Sequence, residues 1–411
     1  MQLDVFFSIS QTPVAGYTPD EATMLRNFFE QVRAADALGY GTAWVAEAHL
    51  STEVQQRHPR AVVPHWKGEI GLNTDLFQLA HHVFRQTRQI EVGSAVTNLL
   101  CNGGPVARAE QVAAFAALHG LDPAERRRLR FGFSAGRFEF MNRAYGINPR
   151  DALEAAAWPV LRGHIFAEAC EVFLRLLNGE AIAGTDGRET LLERSQFRSD
   201  ADWAAVQAAA REAGHHALDR IRVPHRYDFE VLRIVPREWR QELVDLLIGS
   251  HDPALQVEVN RWRPVKVFNL SITPPAVIDS THARMKAAFH PSGGPWARGH
   301  MPRTVMVFLN EQAGLNPASR RAQAREEATR ALSAYWSALE GTLDPAKVAE
   351  ATHNAVVGDA HEVAAQIAER FHPDDTVMLW FDFFNHDSAR VIEDMTAFQE
   401  KVLPLVLERR P

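Results

Sequence analysis

The chain is short of several things, and each shortage excludes something. Two cysteines, Cys101 and Cys170, occur in 411 residues. That is too few for a disulfide framework, and both are expected as free thiols in a reducing cytoplasm. No apolar run approaches the ~20 residues that cross a bilayer. The opening Met1-Gln-Leu-Asp-Val-Phe-Phe7 has neither the basic start nor the cleavage site of a secretion signal. The expected location is therefore cytoplasmic, with no membrane partner. No basic run is longer than Arg126-Arg-Arg128 and the net charge is −7, which argues against nucleic acid as a partner. His81-His82 and His215-His216 are adjacent pairs. They lack the i, i+4 spacing that puts two metal ligands on one helical face, so no metal site is expected. No Gly-x-Gly-x-x-Gly fingerprint is present, so a built-in nicotinamide site is not expected either.

Hydrophobic residues make up 46% and charged residues 23%, the balance of a globular protein with a sizeable core. At ~150 residues per domain the length allows two or three domains, but α/β barrels are single-domain exceptions. The pattern begins with an apolar run at 3–9 and a helical spacing at Met24, Phe28, Val32, Ala35 and Leu38, entered through Thr18-Pro-Asp-Glu21 as a capping box and left at Gly39. A strand at 42–46 follows, then a polar loop at 50–73, a helix at 76–87 and a strand at 90–97. Strand alternating with helix builds a parallel sheet through right-handed crossovers.

Residues 91–146 organise the rest. A strand ends in Thr97 and Asn98 and breaks at Cys101-Asn-Gly-Gly-Pro105; a helix covers 106–118; a second strand, Leu129-Arg-Phe-Gly-Phe-Ser134, exits through Ala135-Gly136. Ligands of parallel α/β proteins sit at the carboxyl ends of strands, so a site is expected around Thr97, Asn98, Ser134 and Gly136. Helical spacing returns at 151–160 and 166–177. The pattern degrades over 184–264, where 201–213 and 239–248 read as helices and 229–235 as a strand, and this stretch is expected to be an insertion. Strands at 265–271, 304–309 and 375–381 and helices at 319–339 and 388–407 complete the chain.

Four pieces in this order carry a resemblance: Gly39-Tyr-Gly-Thr-Ala-Trp-Val-Ala-Glu-Ala-His49, Ile90-Glu-Val-Gly-Ser-Ala-Val96, Gly104-Pro-Val-Ala-Arg108 and Arg130-Phe-Gly-Phe-Ser-Ala-Gly136. With Val357-Gly-Asp-Ala-His-Glu-Val363 and the stretch 398–405, they resemble the bacterial luciferase-like flavin-dependent monooxygenases. The resemblance implies an α/β fold, a TIM (β/α)8 barrel in one domain over 1–411 with the insertion at 184–264 in its second half. It implies reduced FMN from a separate reductase and O2, oxygenating a small organic substrate through a C4a-peroxyflavin. The deazaflavin F420 serves a sister branch, and a homodimer is implied by the family's habit of pairing through early helices. Ala95, Val96, Thr97 and Asn98 are then expected along the flavin ring, with Ala95–Val96 as the site of a non-proline cis peptide. Ser134, Gly136, Arg137 and Ser271 are expected near the rest of the cofactor, Ser271 standing in the Asn269–Thr273 turn as the best candidate for the family's Ser-containing phosphate turn after its fifth strand. His49 and Glu47 are the expected catalytic pair, a near-neutral acid or base with a carboxylate fixing its tautomer. The chain departs from the family in carrying Ala48 where the first histidine of a Glu-His-His ending stands. It also has Ala135 at the usual arginine position, with Arg137 two residues on.

Three other readings remain open at this point. One is an F420-dependent oxidoreductase of the same fold. Another is a non-catalytic flavin-binding barrel. The third is a serine hydrolase, since Gly132-Phe-Ser-Ala-Gly136 matches the Gly-x-Ser-x-Gly elbow and would use Ser134. The elbow requires a helix directly after it, and 137–146 has no clean helical period.

Overall fold

The computed structural model describes residues 1–11, 13–47, 73–136, 139–269, 273–339 and 355–409. The strands, in chain order, are β1 (Gln2–Phe7), β2 (Thr42–Val45), β3 (Glu91–Ser94), β4 (Thr97–Asn98), β5 (Leu129–Ser134), β6 (Thr190–Glu193), β7 (Arg220–Val223), β8 (Val244–Ile248), β9 (Val265–Val267), β10 (Arg303–Leu309), β11 (Ala355–Gly358) and β12 (Thr376–Trp380). All but β6 and β7 share one sheet, in the order β11-β10-β12-β1-β2-β3-β5-β8-β9 with β4 on β5. Every pairing in it is parallel. A further parallel bridge joins Asn269 to Arg303, with Asn269 N–H donating to the Pro302 carbonyl at 3.1 Å. It brings the end of β9 to the start of β10, so the path β12-β1-β2-β3-β5-β8-β9-β10 returns to β12. This is the expected α/β barrel. Short runs such as Thr-Ala-Trp-Val and Thr-Val-Met-Leu are buried on both faces, as strands of an all-parallel barrel must be.

The barrel interior is packed in layers. Phe6, Trp44, Leu247, Phe268 and Met378 form its middle, and Ala46, Ala95, Val96 and Trp380 pack on them as partly buried neighbours. The size of Trp44 dictates Gly93 on the next strand: a Cβ there would stand 2.4 Å from the indole Cε3. Toward the amino ends of the strands the interior turns ionic. Arg130 Nε donates to Glu91 at 2.6 Å, Arg128 reaches Glu91 at 2.8 Å and Asp245 at 3.0 Å, and Lys266 reaches Asp245 at 2.8 Å. Trp44 Nε1 donates to Asp4 at 2.8 Å. Charges this deep persist only when paired and hydrogen-bonded.

Local differences from the sequence reading have local causes. The first helix, Glu21–Ala37, is capped by Asp20, whose carboxylate accepts from Thr23 N–H at 2.6 Å, so the cap lies two residues after Thr18. The two segments read at 151–160 and 166–177 are one helix, Ala152–Leu177, which carries Pro159 inside it. The stretch 239–248 is not one α-helix: a single 3-10 turn at Gln241–Leu243 leads into β8, flanked by β5 and β9. A five-residue apolar run has no period that separates a buried strand from a helix segment. Nor is 229–235 a strand: Leu232 makes a single bridge to Ile182. Between Ala152–Leu177 and β8 the chain leaves the repeating unit, forming the antiparallel pair β6–β7 and the helix Asp200–Glu212. The loop expected at 50–73 lies, but for Asn73, outside the described residues.

Candidate active site

The carboxyl ends of β2, β3, β4 and β5 converge. β3 stops at Ser94, the Ala95–Val96 peptide is cis, and the chain resumes as β4, whose Thr97 and Asn98 pair with Phe133 and Ser134 of β5. The site expected for a non-proline cis bond therefore holds one. Thr97 and Asn98 are buried and Ala95 and Val96 are half-buried. Together with Ala46 and Trp380 these last two form a floor of mostly small side chains over the barrel interior.

One edge of that floor is a buried polar network. Thr97 Oγ1 donates to Glu47, Ser94 Oγ donates to the same carboxylate oxygen at 3.2 Å, and the two hydroxyls lie 2.8 Å apart. Behind Glu47 stands Arg108, with Nη2 at 3.6 Å from the carboxylate and a side chain that is 2% exposed. Nη1 of Arg108 donates to Gln111 at 3.0 Å, while its Nε and Nη2 are buried without a hydrogen-bond acceptor. The arrangement holds a cation and a carboxylate beside the hydroxyl of Thr97. Sequence reading passed over Arg108 as a site residue, although it sits in a quoted motif.

The opposite edge is built on close approach. Asn98 Nδ2 donates to Asn142 Oδ1 at 2.7 Å, Asn142 Nδ2 donates to the Ala135 carbonyl at 3.1 Å, and Asn98 Oδ1 accepts from Leu100 N–H at 3.0 Å. Gly136 has φ +73°, a region that favours glycine, and a Cβ on it would lie 2.1 Å from Asn98 Nδ2. Gly249, directly after β8, lies 2.8 Å by its N–H from the Phe133 carbonyl, and a Cβ there would touch Val96. From Ala135 and Gly136 a cleft of about 300 Å³ runs outward between Asn142, Arg143, Trp158, Arg162 and Ser250. Arg162 pairs with Glu139, whereas Arg143 is exposed and makes no ion pair with a described residue.

Of the expected residues, Glu47, Ala95, Val96, Thr97, Asn98, Ser134 and Gly136 come together here. His49, Arg137 and Ser271 lie outside the described residues. The strand leading toward Ser271 is β9, the sixth around the ring, whereas the fifth is β8 and its exit is Gly249-Ser250. Reading 239–248 as a helix hid that turn. The Gly-Ser dipeptide after an apolar run was the signal for it. Ser134 Oγ accepts from Gly136 N–H at 3.2 Å, and among the described residues no histidine hydrogen-bonds to it. The next helix, Glu139–Arg143, is one short turn that starts three residues past Gly136. Among the described residues the parts of a serine-hydrolase elbow are not assembled. Among the described residues no three metal-ligating side chains cluster, and no helix is long and apolar enough to cross a membrane. Cys101 and Cys170 are buried free thiols, and burial pushes Cys101 up to about 12, so it is no nucleophile at neutral pH.

The residues suit a flavin. A flat floor of small side chains, a polar edge at Thr97 and a cleft ending in two arginines and a serine match an aromatic ring system with a phosphate-bearing tail.

Comparison with known proteins agrees. A family model described as luciferase-like monooxygenase matches residues 1–217. No curated protein sequence matches. Among solved structures, the monooxygenase RslO1 from Streptomyces bottropensis is 18% identical over 98% of this chain and 99% of that one, with a TM-score of 0.63. The oxygenating constituent of 3,6-diketocamphane monooxygenase from Pseudomonas putida, a type II Baeyer–Villiger monooxygenase in complex with FMN, is 12% identical over 98% of both chains, TM-score 0.57. An F420-dependent secondary alcohol dehydrogenase bound to an F420-acetone adduct is 14% identical over 98% of both, TM-score 0.56. At such identities these likenesses speak for the fold alone.

Proposed function

The chain belongs to the luciferase-like monooxygenase family, and from that premise we propose that it binds reduced FMN, supplied by a separate reductase, and uses O2 to oxygenate a small organic substrate. The observation that carries the reading is the continuity of the site. The Ala95–Val96 floor passes through the Asn98–Gly136 contact directly into the cleft of Arg143, Arg162 and Ser250.

Reduced flavin, when bound, supplies the electrons that activate O2. The chain's own residues bind, orient and keep the site dry. Ala95 and Val96 let the ring lie against the backbone, and Thr97, held by Glu47 and Ser94, offers a fixed hydroxyl at its polar edge. Arg108 places positive charge behind that edge, where negative charge on a reduced flavin is stabilised by a nearby cation. Arg143, Arg162 and Ser250 take the phosphate. The apolar layer beneath, Trp44 with Phe268 and Met378, excludes water from below.

An F420-dependent oxidoreductase is the second reading, favoured by the likeness in fold to the F420-dependent alcohol dehydrogenase. Anaerobic titration separates the two. The purified protein is mixed with reduced FMN and, in parallel, with reduced F420, and binding is followed by calorimetry. Saturable binding of FMN with at least tenfold preference supports the first reading; the reverse preference replaces it with the second.

A further inference from the structure

The flavin candidates occupy β3, β4, β5 and the exit of β8. The other side of the floor, at the ends of β12, β1 and β2, holds a second cavity of about 90 Å³. Its walls are largely apolar, with Phe6, Met24, Ala46, Trp380 and Phe383 among them. It shares Ala46 and Trp380 with the floor. Against this apolar wall stands one carboxyl, Asp382, two residues past the end of β12.

Asp382 is tied to Ser8, just past β1. Ser8 N–H donates to Oδ2 at 2.9 Å and Ser8 Oγ donates to Oδ1 at 3.1 Å. Trp380 Nε1 donates to Ser8 Oγ at 2.8 Å. Ser8 is half-buried at the cavity wall. A hydroxyl has one proton and two lone pairs. With Asp382 ionised, the Ser8 proton is turned to the carboxylate and one lone pair is used by the indole. With Asp382 protonated, the carboxyl can donate to Ser8 Oγ instead, and the Ser8 proton is released toward the cavity. Asp382 takes up one proton from solvent, which forms its O–H bond; beyond that, only the direction of the hydrogen bonds reverses.

We propose that Ser8 is the substrate-contacting hydroxyl of this site, that Asp382 is the positioning residue setting which way it points, and that the occupant is a small apolar ketone, or the ketone end of a larger apolar molecule, whose oxygen accepts from Ser8. The inference rests on the flavin reading for the reaction it serves, but its test does not. Burial raises the Asp382 carboxyl to about 6, against the pull of its hydrogen bonds from Ser8. Among the described residues lining the two cavities beside Asp382, His386 is the one other titratable side chain. The elements packed there contribute Asn27 and Gln31 from Glu21–Ala37 and Ala46 after β2, none of them charged.

The test reads the indole N–H resonance of Trp380, assigned by Trp380→Phe, in the flavin-free protein between pH 5 and 8. The resonance is expected to shift with a midpoint near 6, to be flat in Asp382→Asn and Ser8→Ala, and to be unchanged in His386→Asn. 2-Butanone, added as the probe, is expected to perturb it with about tenfold higher affinity at pH 5 than at pH 7, the ratio of protonated carboxyl for a midpoint of 6. A flat wild-type titration, or one that persists in Ser8→Ala or disappears in His386→Asn, overturns the relay; Ser8→Ala keeps that decision open should Asp382→Asn fail to fold. Absence of any butanone effect, or an effect equal at both pH values, overturns the ketone assignment. Reduced FMN binding by the wild type is measured separately, and its absence sinks the flavin reading without touching the relay.

Discussion

Asn98 and Gly136 meet at the ends of β4 and β5 so closely that a Cβ on Gly136 would lie 2.1 Å from the Asn98 amide nitrogen. Two strand ends are thereby locked together at the point where the floor opens into the cleft of Arg143, Arg162 and Ser250. Gly136→Ala must move Asn98 and hold a non-glycine residue at φ +73°. The expected cost is about 1–3 kcal/mol of stability. A fall of at least tenfold in flavin affinity should accompany it, because the Asn98–Asn142 bond breaks. Urea denaturation and FMN titration of the variant check both; an unchanged affinity would remove this contact from the site.

In the proposed flavin site Arg143 and Arg162 differ from the other cofactor candidates in facing only the phosphate. Charge-assisted hydrogen bonds are worth about 1.5–3 kcal/mol each. Arg143→Ala and Arg162→Ala should each weaken FMN by about 10–100-fold and leave riboflavin, which has no phosphate, within a factor of about two. Equal losses for both ligands would place the arginines elsewhere in the binding event.

Arg130 is the centre of the ionic layer at the amino end of the barrel, paired with Glu91 at 2.6 Å and beside Asp4, whose carboxyl is raised by burial and pulled down by Arg130. Arg130→Met leaves buried Asp4 without its neighbouring cation and Glu91 with Arg128 alone. A loss of about 3–5 kcal/mol in chemical denaturation is expected, with flavin affinity of the remaining folded protein little changed, since the site lies at the other end of the strands.

Asp394 gives the stability a pH signature. Burial raises its carboxyl to about 8, with Arg390 at 3.1 Å opposing and Glu327 adding to the rise. The folded value exceeds the unfolded one, so the native state holds a proton that the unfolded chain releases. That contribution is complete below about pH 4 and is lost as pH rises through about 8. Asp394→Asn cannot ionise. Its urea midpoint should therefore gain on the wild type from pH 5 to pH 8; parallel curves would mean that Asp394 titrates normally.

Much of this was legible in the chain. The alternation of apolar runs and helical spacings set out the parallel sheet through Ser134, because each strand there is bounded by glycine or a polar cap; its closure into a barrel came from the family resemblance. Thr97, Asn98 and Gly136 followed from one rule, that parallel strands present ligands at their carboxyl ends. β8 was lost because Val-Asp-Leu-Leu-Ile is too short for its period to speak, and with it went Ser250. Arg108, the Asn98–Asn142 bond and the Asp382–Ser8 pair were beyond reach for a different reason. Each joins residues 44 or more positions apart, and such contacts are set by packing, which one sequence does not display.

The central claim is that bound reduced flavin meets O2 in this site. It is tested most directly by mixing the anaerobic protein–reduced FMN complex with oxygenated buffer in a stopped-flow spectrometer and following flavin absorbance. The account predicts at least one absorbance phase resolved in time before the oxidised flavin spectrum returns, with a rate that Gly136→Ala alters. Reoxidation indistinguishable from that of free reduced FMN at the same concentration would contradict it.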